Sequence, residues 1–166
     1  MKLERFRRTD KFQKPFEVGM GCADDFPLVL EMYRNFSPKP SSQGLPPQDP
    51  EACQNWLRML FRIGMNGLAW RDDSVIGHAA LIPDVKGRSG ELVTFVDQGH
   101  RNRRIGTELT RFTLEKFGQR GFEVAWLTVR VSDFIPIMLY KRLGFEFCDT
   151  DSYERVMAVK LDSFLQ

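Results

Sequence analysis

The run Arg101-Asn102-Arg103-Arg104-Ile105-Gly106-Thr107 has the residue types to hold an anion: guanidinium groups, an amide, a hydroxyl and a glycine in succession. Before it, Leu92 to Val96 is apolar or β-favouring with almost no polar alternation, the pattern of a strand covered on both faces. After it, Ile105, Leu109 and Phe112 recur at helical spacing. A strand that turns through a polar loop into a helix leaves first-turn N–H groups unpaired at the positive end of the helix dipole. A ligand carrying phosphate suits such a place. The bland alternative for Arg101, Arg103 and Arg104 is a solvated basic loop. Their position at a helix start favours phosphate contact. RNA contact through the same run is a further alternative, but the run is short and no basic helix face or interleaved aromatics accompany it.

The elements that must position this loop follow from the rest of the chain. Residues 1–15 are charged, precede no apolar run of signal type, and read as a loosely docked lead-in. Residues 16–166 read as a single domain. Phe16 to Met20 is a first strand. Ala23-Asp24-Asp25 starts a helix that is apolar around much of its circumference through Phe36. Ser37 to Pro50 is rich in proline and cannot be regular structure; it is either a plain connection or a functional loop. Pro50-Glu51 opens a second helix reaching to about Met65, with Cys53, Trp56, Leu57, Leu60 and Phe61 at helical spacing. Leu68 to Arg71 and Val75 to Ile82 form a hairpin around Asp72-Asp73-Ser74. The helix after the loop ends at Gly118 and Gly121, and Phe122 to Val131 is another apolar strand. Strand, helix and strand make a βαβ unit with parallel strands. Ser132-Asp133 caps a helix from Ile135 to Leu143, and Phe145 to Phe147 and Arg155 to Leu161 are the last strands.

Composition removes several functions. The chain is 42% hydrophobic and 28% charged with a net charge of +2, so overall charge does not argue for nucleic acid. Cys22, Cys53 and Cys148 are far apart, with neither a disulfide framework nor a zinc pattern, and no metal is expected. No apolar run reaches the roughly 18–20 residues of a membrane span. A reducing cytoplasm is the default location.

From about Phe16 to Leu161 the chain resembles the GNAT superfamily of acyl-CoA N-acyltransferases. Two motifs carry the resemblance. Arg101-Asn102-Arg103-Arg104-Ile105-Gly106 lies on the family's acyl-CoA loop Q/R-x-x-G-x-G/A. Asp133-x-x-Pro136-x-x-x-Tyr140-x-x-x-Gly144-Phe145 lies on its later block N-x-x-A-x-x-x-Y-x-x-x-G-F. Arg104, Asp133 and Pro136 depart from glycine, asparagine and alanine. The resemblance implies a mixed α/β fold, with a central mixed sheet of about six or seven strands and about four helices.

It also implies roles. Backbone N–H groups from Asn102 to Thr107, Ile105 and Gly106 included, would hold the coenzyme A pyrophosphate, and Phe95 and Val96 would pair with the pantetheine arm. Asp133 would stand near the cofactor or cap its helix. Tyr140 would protonate the departing thiolate as general acid; a phenol of pKa about 10 beside a thiol of about 8–9 needs only a short transfer. The alternative is a buried structural tyrosine. The incoming ammonium must lose a proton, and Glu91 at the start of the central strand is the first candidate base, against a plain strand-end glutamate. Asp133 and His78 follow, with Glu123 and Glu146 behind them. Cys148 shows no activating neighbour, so direct attack by the amine is expected over an acyl-cysteine.

The expected reaction is acetyl transfer from acetyl-CoA, without a metal, to a primary amine. The acceptor is a protein amine, an amino acid or another small amine, and the resemblance places its site at Tyr33 to Pro50 and after Phe147. A homodimer stays open. The other class of reading is a non-catalytic acyl-CoA-binding regulatory module, with Arg104 and Asp133 marking lost catalysis.

Overall fold

The structure, a computed structural model, describes residues 3–41, 44–84, 87–148 and 154–165. Parts of both expected acceptor regions, Ser42 and Gln43 in one and 149–153 in the other, lie outside the described residues. Twelve elements build the domain. They are β1 (Arg5–Thr9), β2 (Pro15–Met20), α1 (Phe26–Arg34), α2 (Pro50–Ile63), β3 (Met65–Arg71), β4 (Ser74–Pro83), β5 (Ser89–Val96), α3 (Ile105–Gln119), β6 (Val124–Arg130), α4 (Phe134–Arg142), β7 (Glu146–Phe147) and β8 (Glu154–Lys160). They form one sheet in the order β1-β2-β3-β4-β5-β6-β8-β7.

Local sequence accounts for most boundaries. Asp49 caps α2 by accepting from the Ala52 N–H at 2.8 Å, and Pro50 occupies its first turn, where no N–H is needed. Gly64 ends α2, so Met65, expected as its last residue, instead begins β3. Asp72, at φ 55°, turns β3 into β4. Gly67 on β3 faces Thr113 of α3 so closely that any Cβ would collide with the threonine hydroxyl, which sets α3 tight against the sheet.

Two apolar cores lie on opposite faces of the sheet. One gathers Ile105, Leu109, Leu114 and Phe117 of α3 with Leu127 and Met157 of the sheet. The other gathers Val29 and Tyr33 of α1 and Leu57 and Leu60 of α2 against Leu68, Trp70 and Phe95. α1, α2 and α3 have therefore found cover for their apolar stripes, whereas α4 buries Ile137 and Tyr140 and leaves Phe134, Ile135 and Met138 exposed.

The sheet has eight strands where about six or seven were expected. The main correction concerns the amino terminus. Arg5–Thr9, read as a loosely docked lead-in, is an edge strand paired with β2 in register from Arg5↔Gly19 to Thr9↔Pro15. Its charges hid it: the Arg5 guanidinium stacks 3.8 Å from the Trp70 ring centre, and Asp10 just beyond the strand accepts from Arg71 at 2.7 Å. An edge strand with one face to solvent carries no apolar run for sequence to register.

One pairing is parallel, as the βαβ reading requires. β5 and β6 are joined only at Ser89↔Val124, Gly90↔Ala125 and Glu91↔Trp126. Past Glu91 the strands part. The sheet is open there, and everything that follows depends on that opening.

Candidate active site

A cleft of about 830 Å³ fills the opening between β5 and β6. Its walls are Leu92 to Val96 on one side and Leu127 to Val129 on the other, with α4 and the loop before α3 across its mouth. Alternation along β5 divides it into two halves. Thr94 and Val96 face α3 and α4: the Thr94 hydroxyl lies 3.3 Å from that of Thr110, and the Val96 side chain lies beside Gly106. Val93 and Phe95 face the opposite core, under α1 and α2. One strand thus serves both halves.

In the α3 half the loop is built from unusual backbone. Asn102 and Arg104 both adopt the left-handed conformation, at φ 60° and 71°. Arg104 is the N-cap of α3, and that conformation is the reason glycine is the residue expected there. Arginine accepts it at a cost of about 1–2 kcal/mol and is exposed, so its side chain is free to add charge at the cleft mouth. A hypothetical Cβ on Gly106 would approach Leu139 of α4 to 3.2 Å, so this glycine keeps α3 and α4 together. The first-turn N–H groups of α3 have no intrahelical partner, and Arg104, Gly106 and Thr107 line the cleft, which makes this loop a candidate anion cradle.

The expected site residues divide accordingly. Phe95, Val96, Arg101, Asn102, Arg104, Gly106, Thr107, Asp133 and Tyr140 all line the cleft. The side chains of Arg103 and Ile105 do not. Ile105 is fully buried as an anchor of α3, leaving only its backbone to the loop. Arg103 turns toward Phe12, 5.5 Å from its ring centre. Asp133 makes no side-chain cap on α4, contrary to its expected capping role; its carbonyl accepts from the Ile137 N–H at 3.1 Å instead.

Tyr140 is buried on α4 with Ile137 and is hydrogen-bonded to Thr94. Burial pushes its phenol up to about 12, so it remains protonated throughout the working range of an enzyme. Glu91 stands at the floor of the opening, on the last bonded pair, one residue short of the lining. Alternation puts it on the Val93 and Phe95 face, and partial burial raises its carboxyl above the ordinary 4.5.

His78 is fully buried. The Asn66 side-chain amide donates to Leu60 O at 3.0 Å, which leaves Asn66 Oδ1 to accept from His78 Nε2 at 2.8 Å. His78 Nδ1 then accepts from the Tyr33 hydroxyl at 2.8 Å. Desolvation lowers its pKa to about 3. With both ring nitrogens engaged in the core, His78 is a neutral scaffold residue, and it is removed as a base. Cys148 is exposed and does not line the cleft.

Two residues escaped the sequence reading. Lys11 reaches the cleft mouth because the β1–β2 turn docks on the cradle loop, its N–H donating to Arg103 O at 3.0 Å. Gln98 ties the two halves: its amide donates to Asn35 O at 2.6 Å and accepts from the Ser37 N–H at 3.1 Å. Neither lies in a motif, and both depend on contacts distant in sequence.

Among the described residues no group of three or more His, Cys, Asp or Glu could hold a metal, and no helix is long and apolar enough to cross a membrane. No curated protein sequence matches the chain. Solved structures do match its fold. The GNAT domain of S. lividans PAT superposes with a TM-score of 0.81 at 12% identity, covering 94% of this chain and 96% of that one. YncA, a putative acetyltransferase from Salmonella typhimurium solved with acetyl-CoA, gives 0.70 at 15% identity, covering 89% and 94%. The ribosomal-protein-S18-alanine N-acetyltransferase of Escherichia coli gives 0.68 at 18%, covering 88% and 94%. The sequence profile of the Acetyltransferase (GNAT) family matches residues 29–145, which take in most of α1, α2, the parted strands, the cradle loop and Tyr140. With that match over most of its length, and with the opened sheet and helix-start cradle in place, the chain belongs to the GNAT acetyltransferase family.

Proposed function

We propose that the protein transfers an acetyl group from acetyl-CoA to a primary amine by direct attack, with no metal. The observation that carries this reading is the parting of β5 and β6 beyond Glu91↔Trp126, which opens a cleft toward both faces of the sheet. A thioester seated there is reached by its carrier from the α3 side and by an acceptor from the α1–α2 side.

The cradle at 102–107 receives the pyrophosphate through backbone N–H groups, with Arg104 and Lys11 adding charge at the rim. Phe95 and Val96 flank the pantetheine arm, and Asp133 stands at the opposite wall. Past Glu91, β5 lacks a strand partner on one edge, so its N–H groups there are available to the pantetheine amides and to the developing oxyanion. Glu91 takes the proton from the acceptor ammonium, directly or through water. The raised carboxyl makes it a better match to that task than an ordinary glutamate. The amine nitrogen bonds to the carbonyl carbon, the C–S bond breaks, and the Tyr140 hydroxyl supplies a proton to the sulfur; the second proton leaving the nitrogen restores that hydroxyl through water. Burial holds that hydroxyl protonated, and Thr94 holds it in place.

The test pairs two measurements on the full chain. Acetyl-CoA is expected to raise the melting temperature, and thiol release is expected to rise when an amine acceptor is supplied. Binding without release across a broad amine panel, with Tyr140→Phe unchanged from the native protein, would leave only a regulatory acyl-CoA-binding module.

A further inference from the structure

The acceptor half of the cleft has a chemistry of its own. Its described surface comes from Phe36, Pro38, Leu45, Val93 and Phe95 with one hydroxyl, that of Ser41, which donates to Leu45 O at 3.0 Å, so it is mostly apolar. Behind Phe36 and Phe95, Tyr33 and Trp56 complete a set of four rings packed at centroid distances of 5.6 to 5.9 Å, mostly edge to face. Such walls are stiff, and they suit a flat or branched apolar body.

The charged side chain over these walls is Arg101. It belongs to the cradle loop, yet its side chain leaves the cradle. Nε donates to Val96 O at 3.0 Å, and the guanidinium lies 4.9 Å from the Phe36 ring centre, on the acceptor side. Two anchors fix its plane. Arg101 lines the cleft and forms no salt bridge with a described carboxylate. Asp97, the acidic residue that acts on it electrostatically, is bonded to His100 at 2.9 Å. The terminal nitrogens of Arg101 thus present a planar fork to the cleft, and such a fork matches a carboxylate. On the described surface of this half no acidic side chain accompanies Glu91 at the floor, so nothing holds a second ammonium.

We propose that the acceptor is a free α-amino acid with an aromatic or branched apolar side chain. Its carboxylate pairs with Arg101, its side chain lies on Phe36 and Leu45, and its amine is directed down to the thioester above Glu91. The ammonium loses one proton to Glu91, the nitrogen bonds to the acetyl carbon, the C–S bond breaks, and the second proton leaving the nitrogen passes through water to the Tyr140 oxygen, replacing the one that Tyr140 gives to sulfur. The sulfur takes a proton from Tyr140, and the products are an N-acetylamino acid and coenzyme A. This inference rests on the acetyltransferase reading above.

The experiment measures thiol release from acetyl-CoA with phenylalanine, leucine, phenylalaninamide, phenethylamine and spermidine, for the native protein and Arg101→Ala. Acetyl-CoA binding is followed separately by calorimetry. The native protein is expected to favour phenylalanine or leucine over phenylalaninamide and phenethylamine, which lack the carboxylate, by about ten- to a hundredfold in kcat/KM, the range of a charged hydrogen-bonded pair. Arg101→Ala is expected to erase that preference, raising KM for phenylalanine and leucine at least about tenfold more than for phenylalaninamide. Equal native rates on phenylalanine and phenylalaninamide, a preference for spermidine, or no turnover of either amino acid by protein that binds acetyl-CoA would overturn the inference. So would an equal loss on all acceptors in Arg101→Ala, which marks a clamp on Phe36 alone. Failure to bind acetyl-CoA at all would instead overturn the reading on which it rests.

Discussion

The two halves of the cleft share one strand and are made of different materials. The α3 half is backbone: a loop with two left-handed residues, a helix start and an unpaired strand edge. The α1–α2 half is side chain: rings, a proline, a leucine and one arginine. A phosphate-bearing carrier common to many enzymes can be held by amides that every residue possesses. An acceptor peculiar to one enzyme has to be recognised by side chains. The halves also differ in how they are braced. The cradle is braced by the β1–β2 turn at Lys11, and the aromatic half by the buried Tyr33–His78–Asn66 chain.

The largest effects fall where the halves meet. Tyr140→Phe is expected to lower kcat about a hundredfold with acetyl-CoA affinity unchanged, since only the donated proton is lost. Tyr140 titrates at about 12, so it contributes no alkaline limb to the rate below pH 10. Glu91→Gln is expected to cost somewhat less. It also removes an acid limb that lies above 4.5 in the native profile, because burial raises this carboxyl. An acid limb that survives in Glu91→Gln would show that another group takes the proton.

The bracing of the aromatic half can be broken with acid. His78 binds a proton near 6.5 when unfolded and only near 3 when folded, so the unfolded chain holds more protons between those values. Stability conferred by keeping His78 neutral is present above pH 6.5 and is lost as pH falls toward 3, at about 1.4 kcal/mol per unit. A melting temperature that stays flat from pH 7 to pH 4 would contradict this assignment.

Smaller effects belong to the cradle. Lys11→Ala is expected to weaken coenzyme A binding a few-fold and to reduce its salt dependence, while Tm is nearly unchanged. Calorimetry at two salt concentrations checks both. Smallest is Arg104. Arg104→Gly relieves a strained backbone and should raise stability by up to about 1 kcal/mol, whereas Arg104→Ala keeps the strain. Both lose the same charge. A shared loss of coenzyme A affinity therefore assigns it to the guanidinium, and a loss confined to Arg104→Gly assigns it to the rigidity of the loop.

Much of the cradle half was legible because its signals are local. An apolar run, a polar turn and an apolar stripe mark strand, loop and helix within a few residues of one another. Tyr140 stands out by its spacing in a second motif, and it lines the cleft. The aromatic half was legible only as core: Tyr33, Phe36, Trp56 and Phe95 read as packing, and packing is what they do, but Phe36 and Phe95 also face the cleft. Periodicity registers burial and does not distinguish the inner side of a ring from its outer side. The contacts of Arg101 with Val96 O and the Phe36 ring were not legible, because sequence fixes where a backbone runs and leaves the direction of a long side chain undetermined.

By itself, then, the sequence determined the order of elements, the βαβ unit and the helix-start cradle, because hydrophobic period and turn chemistry are properties of neighbouring residues. The tertiary structure alone decided that β1 closes the sheet edge and that Lys11 reaches the cradle. It also decided that His78 is neutral core and that the sheet parts after Glu91. Each of these depends on contacts between segments distant in the chain. Burial, strand divergence and the pKa of a buried group exist only once those segments have met.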